Sequence, residues 1–73
     1  MGMNKEELLK QFGRNVRAER VRKGYSQETF AEILDMHPTY FGKIERGEQN
    51  MSLEKVLELA NALGVHVNEI LRF

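Results

Sequence analysis

Apolar residues in this chain recur at steps of three and four along almost its whole length. The runs are cut short by Asn, Ser and Gly where helices begin and end. That pattern confines the chain to short α-helices. A single proline and the lack of alternating β-branched runs leave little material for a sheet. The expected fold is all-α.

Asn4 can cap a first helix whose opening turn carries Glu6 and Glu7 and whose inner face is Leu9, Phe12 and Val16. Arg20 continues that apolar face. Arg20, Arg22 and Lys23 gather at the negative end of the helix dipole, and Gly24 follows where a left-handed cap is wanted. Ser26 caps a second helix that turns Phe30, Ala31 and Leu34 inward and stops near Asp35. Met36, His37 and Pro38 then make a very short connection, with Pro38 at the first position of a third helix that runs to about Arg46 and ends at Gly47. So short a link forces the two helix axes to cross steeply, as in a helix-turn-helix. After the polar loop from Gly47 to Asn50, Ser52 caps a fourth helix with Leu53, Val56, Leu57 and Ala60 on one face, and Gly64 stops it. The segment from Val65 to Phe73 offers Val67, Ile70 and Leu71 as the face of a short fifth helix. With no repeat, linker or low-complexity tract, residues 1–73 read as one compact five-helix domain.

Composition narrows the function. A chain of 73 residues buries only about 60% of its unfolded surface, which leaves no room for a separate effector or catalytic domain. With no cysteine there is no disulfide framework, thiolate zinc site or cysteine nucleophile. His37 and His66 stand far apart, and neither has an i, i+4 partner, so no metal or other cofactor is expected. Glu6, Glu7, Glu54 and Glu58 read as solvated faces, and Glu45 with Glu48 makes no acid/base pair. An enzyme is therefore not expected, nor is a small-molecule ligand. No apolar run approaches the roughly 20 residues of a membrane span. The opening residues lack the apolar core of a signal peptide, and Glu6 stands where a myristoylation motif wants Ser or Thr. A cytoplasmic location follows as the expectation.

Eleven basic and eleven acidic residues balance, which taken alone argues against a nucleic-acid partner. The balance is uneven along the chain. Residues 1–23 hold seven basic and three acidic side chains, a net of +4, residues 24–50 carry −3, and residues 51–73 carry −1. A basic first helix is hidden inside the neutral total.

On a wheel of about 100° per residue, Phe41 and Ile44 fall on one side of the third helix with Glu45 beside them. Thr39, Gly42, Lys43 and Arg46 fall together on the opposite side, a stripe with two cations and no acid. A helix held by one apolar edge and presenting such a stripe suits the DNA major groove. Mid-helix Gly42 costs about 1 kcal/mol relative to alanine, and two accounts are open: close approach to DNA, or close packing against another helix or simple tolerance. Tyr40 lies between core and stripe, where its hydroxyl can reach a phosphate or a base, or where the residue is simply structural. Arg20 and Glu45 each lie on the apolar face of their own helix. Isolated buried charges are costly, so the two are expected to pair with each other.

The string Ser26-Gln27-Glu28-x-Phe30-Ala31, then His37-Pro38-Thr39-Tyr40-Phe41 and Ile44-Glu45-Arg46-Gly47, closely resembles the phage repressor/Cro-like (XRE-type) helix-turn-helix family. Ala62-Leu63-Gly64-Val65 with Glu69-Ile70-Leu71 is similar to that family's last two helices. Within the family, Thr39-Tyr40, Ile44 to Gly47, Asn50 and Ser52-Leu53 are most similar to controller proteins of restriction-modification systems. The resemblance implies a bundle of the lambda-repressor-like type and a sequence-specific regulator of transcription on double-stranded DNA. It implies base-facing positions at His37, Pro38, Thr39, Gly42 and Lys43. It implies contacts to the DNA backbone from Arg17, Gln27, Tyr40, Arg46 and Asn50, and a structural ion pair of Arg20 with Glu45. Pro38 stands where controller proteins often have arginine, and Gly42 has no side chain, so readout leans on Thr39, Lys43, His37 and DNA shape.

The rival reading of the same fold is an antitoxin-like or other protein-interaction module, which would not need a cationic stripe. Unspent apolar surface at Val67, Ile70, Leu71 and Phe73 predicts a twofold homodimer on a palindromic operator. Such a regulator would sit on the nucleoid of a bacterium or serve a phage, and RNA polymerase is the further partner it would meet there.

Overall fold

The computed structural model describes residues 2–73. Among these it contains five helices and no strand: α1 (Lys5–Arg22), α2 (Gln27–Ile33), α3 (Pro38–Glu45), α4 (Leu53–Leu63) and α5 (Val67–Ile70). The caps fall where the sequence places them. Asn4 Oδ1 accepts from the Glu7 amide at 2.8 Å while Glu7 Oε1 accepts from the Asn4 amide at 3.2 Å, a reciprocal capping box on α1. Ser26 Oγ accepts from the Thr29 amide, and Ser52 Oγ from the Lys55 amide. Gly64 closes α4 at φ +71°. The start of α3 is capped by His37, whose Nδ1 accepts from the Thr39 amide at 3.1 Å.

The core is built from Phe12 and Val16 of α1, Phe30 and Ala31 of α2, Phe41 and Ile44 of α3, Val56, Leu59, Ala60 and Leu63 of α4, and Ile70 of α5. The rings of Phe30 and Phe41 meet edge to face, 5.4 Å between centroids and 62° between planes, and tie the two helices of the turn together. α1 packs against α3, α4 and α5, α2 against α3, and α4 against α5.

Helix α1 reaches α3 through Gly13. A Cβ built on Gly13 would lie 2.3 Å from the Glu45 carbonyl oxygen and 2.6 Å from that of Ile44, so only glycine lets the two backbones come this close. Gly47 repeats the device just past the end of α3. It turns the chain at φ +76°, and a Cβ there would lie 2.7 Å from Lys10 Cα.

The structure corrects two expectations and adds one detail. In α4 the buried set is Val56, Leu59, Ala60 and Leu63, whereas Leu53 is 80% exposed and Leu57 52% exposed. Both sets satisfy helical spacing, and contact with α1 and α5 selects the first. Helix α5 is a single turn, and Ile70 is wholly buried in the chain's own core, so it is not an open interface position. The connection after α2 begins with Asp35 at φ +55°, a left-handed conformation that favours glycine. The amides of Asp35 and Met36 donate back to the carbonyls of Glu32 and Ala31, which closes α2 tightly enough to seat α3 across it.

Candidate nucleic-acid interface

The ion pair expected from the wheel is present. Arg20 donates from Nε to Glu45 Oε2 at 2.7 Å and from Nη2 to Oε1 at 3.1 Å, with side chains only 9% and 3% exposed. Arg20 Nη1 donates to the Tyr25 carbonyl at 2.7 Å, and Gln27 Nε2 donates to Glu45 Oε1 at 2.8 Å. No buried side-chain nitrogen or oxygen among the described residues lacks a partner. The network therefore joins α1, the start of α2 and the end of α3, and it fixes the angle at which α3 stands out from the bundle.

Around that lock the candidate residues separate into groups. Thr39 and Lys43 are exposed on the outer side of α3, with no acid from α3 beside them. Arg17, Gln27 and Arg46 line an open cleft of about 380 Å³ whose floor is the Arg20–Glu45 pair. This cleft gathers cations from α1 and from the end of α3 at the base of the stripe, where a DNA strand flanking an inserted helix would pass.

His37 and Pro38 are exposed at the start of α3, beside Glu28, Glu32, Asp35 and Met36 in a second, more acidic cleft. Tyr40 is half-buried against the core. Asn50 lies away from the cationic cleft: it lines an apolar one with Leu8, Leu53, Leu71 and Phe73, and its Oδ1 accepts from the Met51 amide.

Two positions differ from their expected state. Gly42 is buried: a Cβ there would lie 3.1 Å from Arg46 Nη1 and 3.9 Å from Gln27 Oε1. What lies across this glycine is the Arg46 guanidinium from the end of the same helix, with only the Gln27 side-chain oxygen near it from α2. Gln27 turns its amide inward to Glu45, so in the free protein it serves the lock as well as facing the cleft.

Sequence reasoning passed over two residues at this site. Gly13 sets the approach of α1 to α3, and its only sequence signal is a glycine inside an otherwise strong helix. Glu48 follows α3 by a few residues and folds back onto Arg46, with Nε to Oε2 at 3.0 Å and Nη2 to Oε1 at 3.3 Å. A wheel drawn for the helix alone cannot include it.

Two short helices joined by a tight turn, with a buried ion pair holding the second of them against α1 and an outward cationic face, define a helix-turn-helix DNA-binding domain. A helix-turn-helix family model matches residues 16–70, and the chain belongs to that family. It is 43% identical over 63 residues to the control protein C.BamHI of Bacillus amyloliquefaciens, covering 85% of this chain and 78% of that one. It is 44% identical over 57 residues to the control protein C.SmaI of Serratia marcescens, covering 78% and 68%. The crystal structure of the restriction-modification controller protein C.AhdI from Aeromonas hydrophila superposes with a TM-score of 0.80 at 42% identity, covering 85% of this chain and 94% of that one. The chain is a DNA-binding transcriptional regulator, and its family is one of regulators and not of enzymes. No helix among the described residues is long and apolar enough to cross a membrane.

Proposed function

We propose that the protein binds a palindromic operator in double-stranded DNA as a homodimer and acts as a controller of a restriction-modification system in the bacterial cytoplasm. The observation that carries this reading is the exposed outer face of α3. It presents Thr39 and Lys43 with no acid from its own helix, above a cleft holding Arg17, Gln27 and Arg46. In this reading α3 lies in the major groove. Thr39 and Lys43 read base edges, with His37 and Pro38 at the helix start, while Arg17, Gln27, Tyr40 and Arg46 hold phosphates on either side. Gly42 takes part only once Arg46 moves off it, and Asn50 meets DNA only from a separate part of the surface. The protein carries out no chemistry on the DNA and needs no cofactor.

The dimer interface proposed is the apolar surface that the fold leaves uncovered: Leu53 and Leu57 one turn apart on α4, Val67 and Leu71 around α5, and Phe73. Ile70 supports this surface from beneath as a core residue. A twofold arrangement through this surface sets two copies of α3 about one helical turn, roughly 34 Å, apart along the DNA. In this reading occupancy is governed by protein concentration, and promoter position decides the effect on RNA polymerase.

Selection of bound sequences from random duplex DNA tests the whole reading. The expected product is an inverted repeat whose half-sites are spaced by about one helical turn. Recovery of unselected sequence, or of a single unrepeated site, contradicts it.

A further inference from the structure

The turn after α3 places one acid against the cations of the interface. Gly47 reverses the chain and donates its amide to the Ile44 carbonyl at 3.1 Å, and the Glu48 amide donates to the Lys43 carbonyl at 2.8 Å. The Glu48 backbone is thus fixed to the end of α3. Its carboxylate takes the Arg46 guanidinium fork to fork along Nε and Nη2. The other edge of that guanidinium, Nη1, lies over Gly42 in space that any side chain would narrow. The Arg46 guanidinium is therefore held by an anion in the free protein, with its other edge in the space that Gly42 leaves open.

We propose that Glu48 is a built-in competitor for the DNA phosphate taken by Arg46, so that binding exchanges one anion for another and the protein's grip on DNA is deliberately moderate. This rests on the reading of Arg46 as a phosphate contact. The pair is about half exposed on both sides, and exposed pairs are weak, so the exchange is open to a phosphate and not blocked. The hydrogen bond from Arg46 holds the Glu48 carboxyl below the usual carboxylate range, and the charges of Arg46 and Lys43 act in the same direction. Glu48 is accordingly an anion throughout neutral pH, and among the described residues its only side-chain hydrogen bonds are with Arg46. A cation already neutralised by its own chain adds less to the salt-dependent release of counterions when DNA binds.

The test uses a fluorescein-labelled random-sequence duplex of about 20 base pairs, with binding followed by anisotropy over a range of salt. Glu58→Gln is the control, because it removes the same charge and breaks a similarly exposed pair with Lys55 on α4. Glu48→Gln is expected to bind about 3- to 10-fold more tightly at low salt, with a log–log salt slope steeper by about one. Glu58→Gln should change little, and in an Arg46→Ala background the gain from Glu48→Gln should fall to that of the control. The proposal is overturned if Glu48→Gln gains no more than Glu58→Gln, if it weakens binding, or if its gain survives the loss of Arg46. If Arg46→Ala alone binds like the unaltered protein, the phosphate reading of Arg46 fails, and the competitor role falls with it.

Discussion

Glu45 accepts three hydrogen bonds in a nearly closed environment, two from Arg20 and one from Gln27. Removing either member of the pair strands the other charge, which costs about 3–5 kcal/mol, a large part of the stability of a domain this small. Arg20→Ala and Glu45→Ala should each lower the urea midpoint sharply, whereas Arg20→Met with Glu45→Leu should recover much of the loss. If the single variants melt like the unaltered protein, the lock is not structural. Gly13→Ala belongs to the same scale. The alanine methyl would enter the Glu45 and Ile44 carbonyls, and α1 cannot retreat without opening the core at Phe12 and Val16. The expected cost is about 1–3 kcal/mol, as for an overpacked core. Asp35 runs the other way. Its left-handed backbone is strained for a residue with a Cβ, so Asp35→Gly should stabilise by about 0.5–1 kcal/mol in thermal denaturation, and a fall in the midpoint would contradict that account.

Most of the elements were legible in the sequence because the caps are local chemistry: Asn4, Ser26, Ser52 and Gly64 act on backbone within one turn. The pairing of Arg20 with Glu45 was legible too, since two charges on apolar faces have few other places to go. What stayed hidden depends on distant partners. Helix α4 carries two apolar sets at helical spacing, and only its packing on α1 and α5 decides that Leu59 and Leu63 go inside while Leu53 and Leu57 stay out. Glu48 was hidden because a turn, not a helix, delivers it to Arg46. The outward set on α4 leads to a prediction for that element. Leu53→Asp with Leu57→Asp should sediment as a folded monomer, because neither side chain contributes to the core. A dimer that persists in the double variant would move the interface elsewhere, whereas a charge at Ile70 would break the core and report nothing about association.

At the scale of the whole molecule, zero net charge coexists with a functional division of sign. Cations of α1 and α3 meet in one cleft, while Glu28, Glu32 and Asp35 gather on the outer side of α2 and the following turn. The cationic surface is small, so few phosphates should be engaged, and nonspecific affinity is expected to be low compared with a strongly basic domain. Discrimination would then rest on the outer face of α3, as proposed. The most direct test is anisotropy binding of a selected operator duplex at moderate salt by the unaltered protein and by a Lys43→Ala, Arg46→Ala variant. Both residues are exposed, so the fold should survive, as a helical circular dichroism spectrum would verify. The predicted result is a loss of at least about tenfold in affinity, together with a shallower salt slope. Unchanged retention on DNA by the folded variant would contradict the account that α3 carries the function.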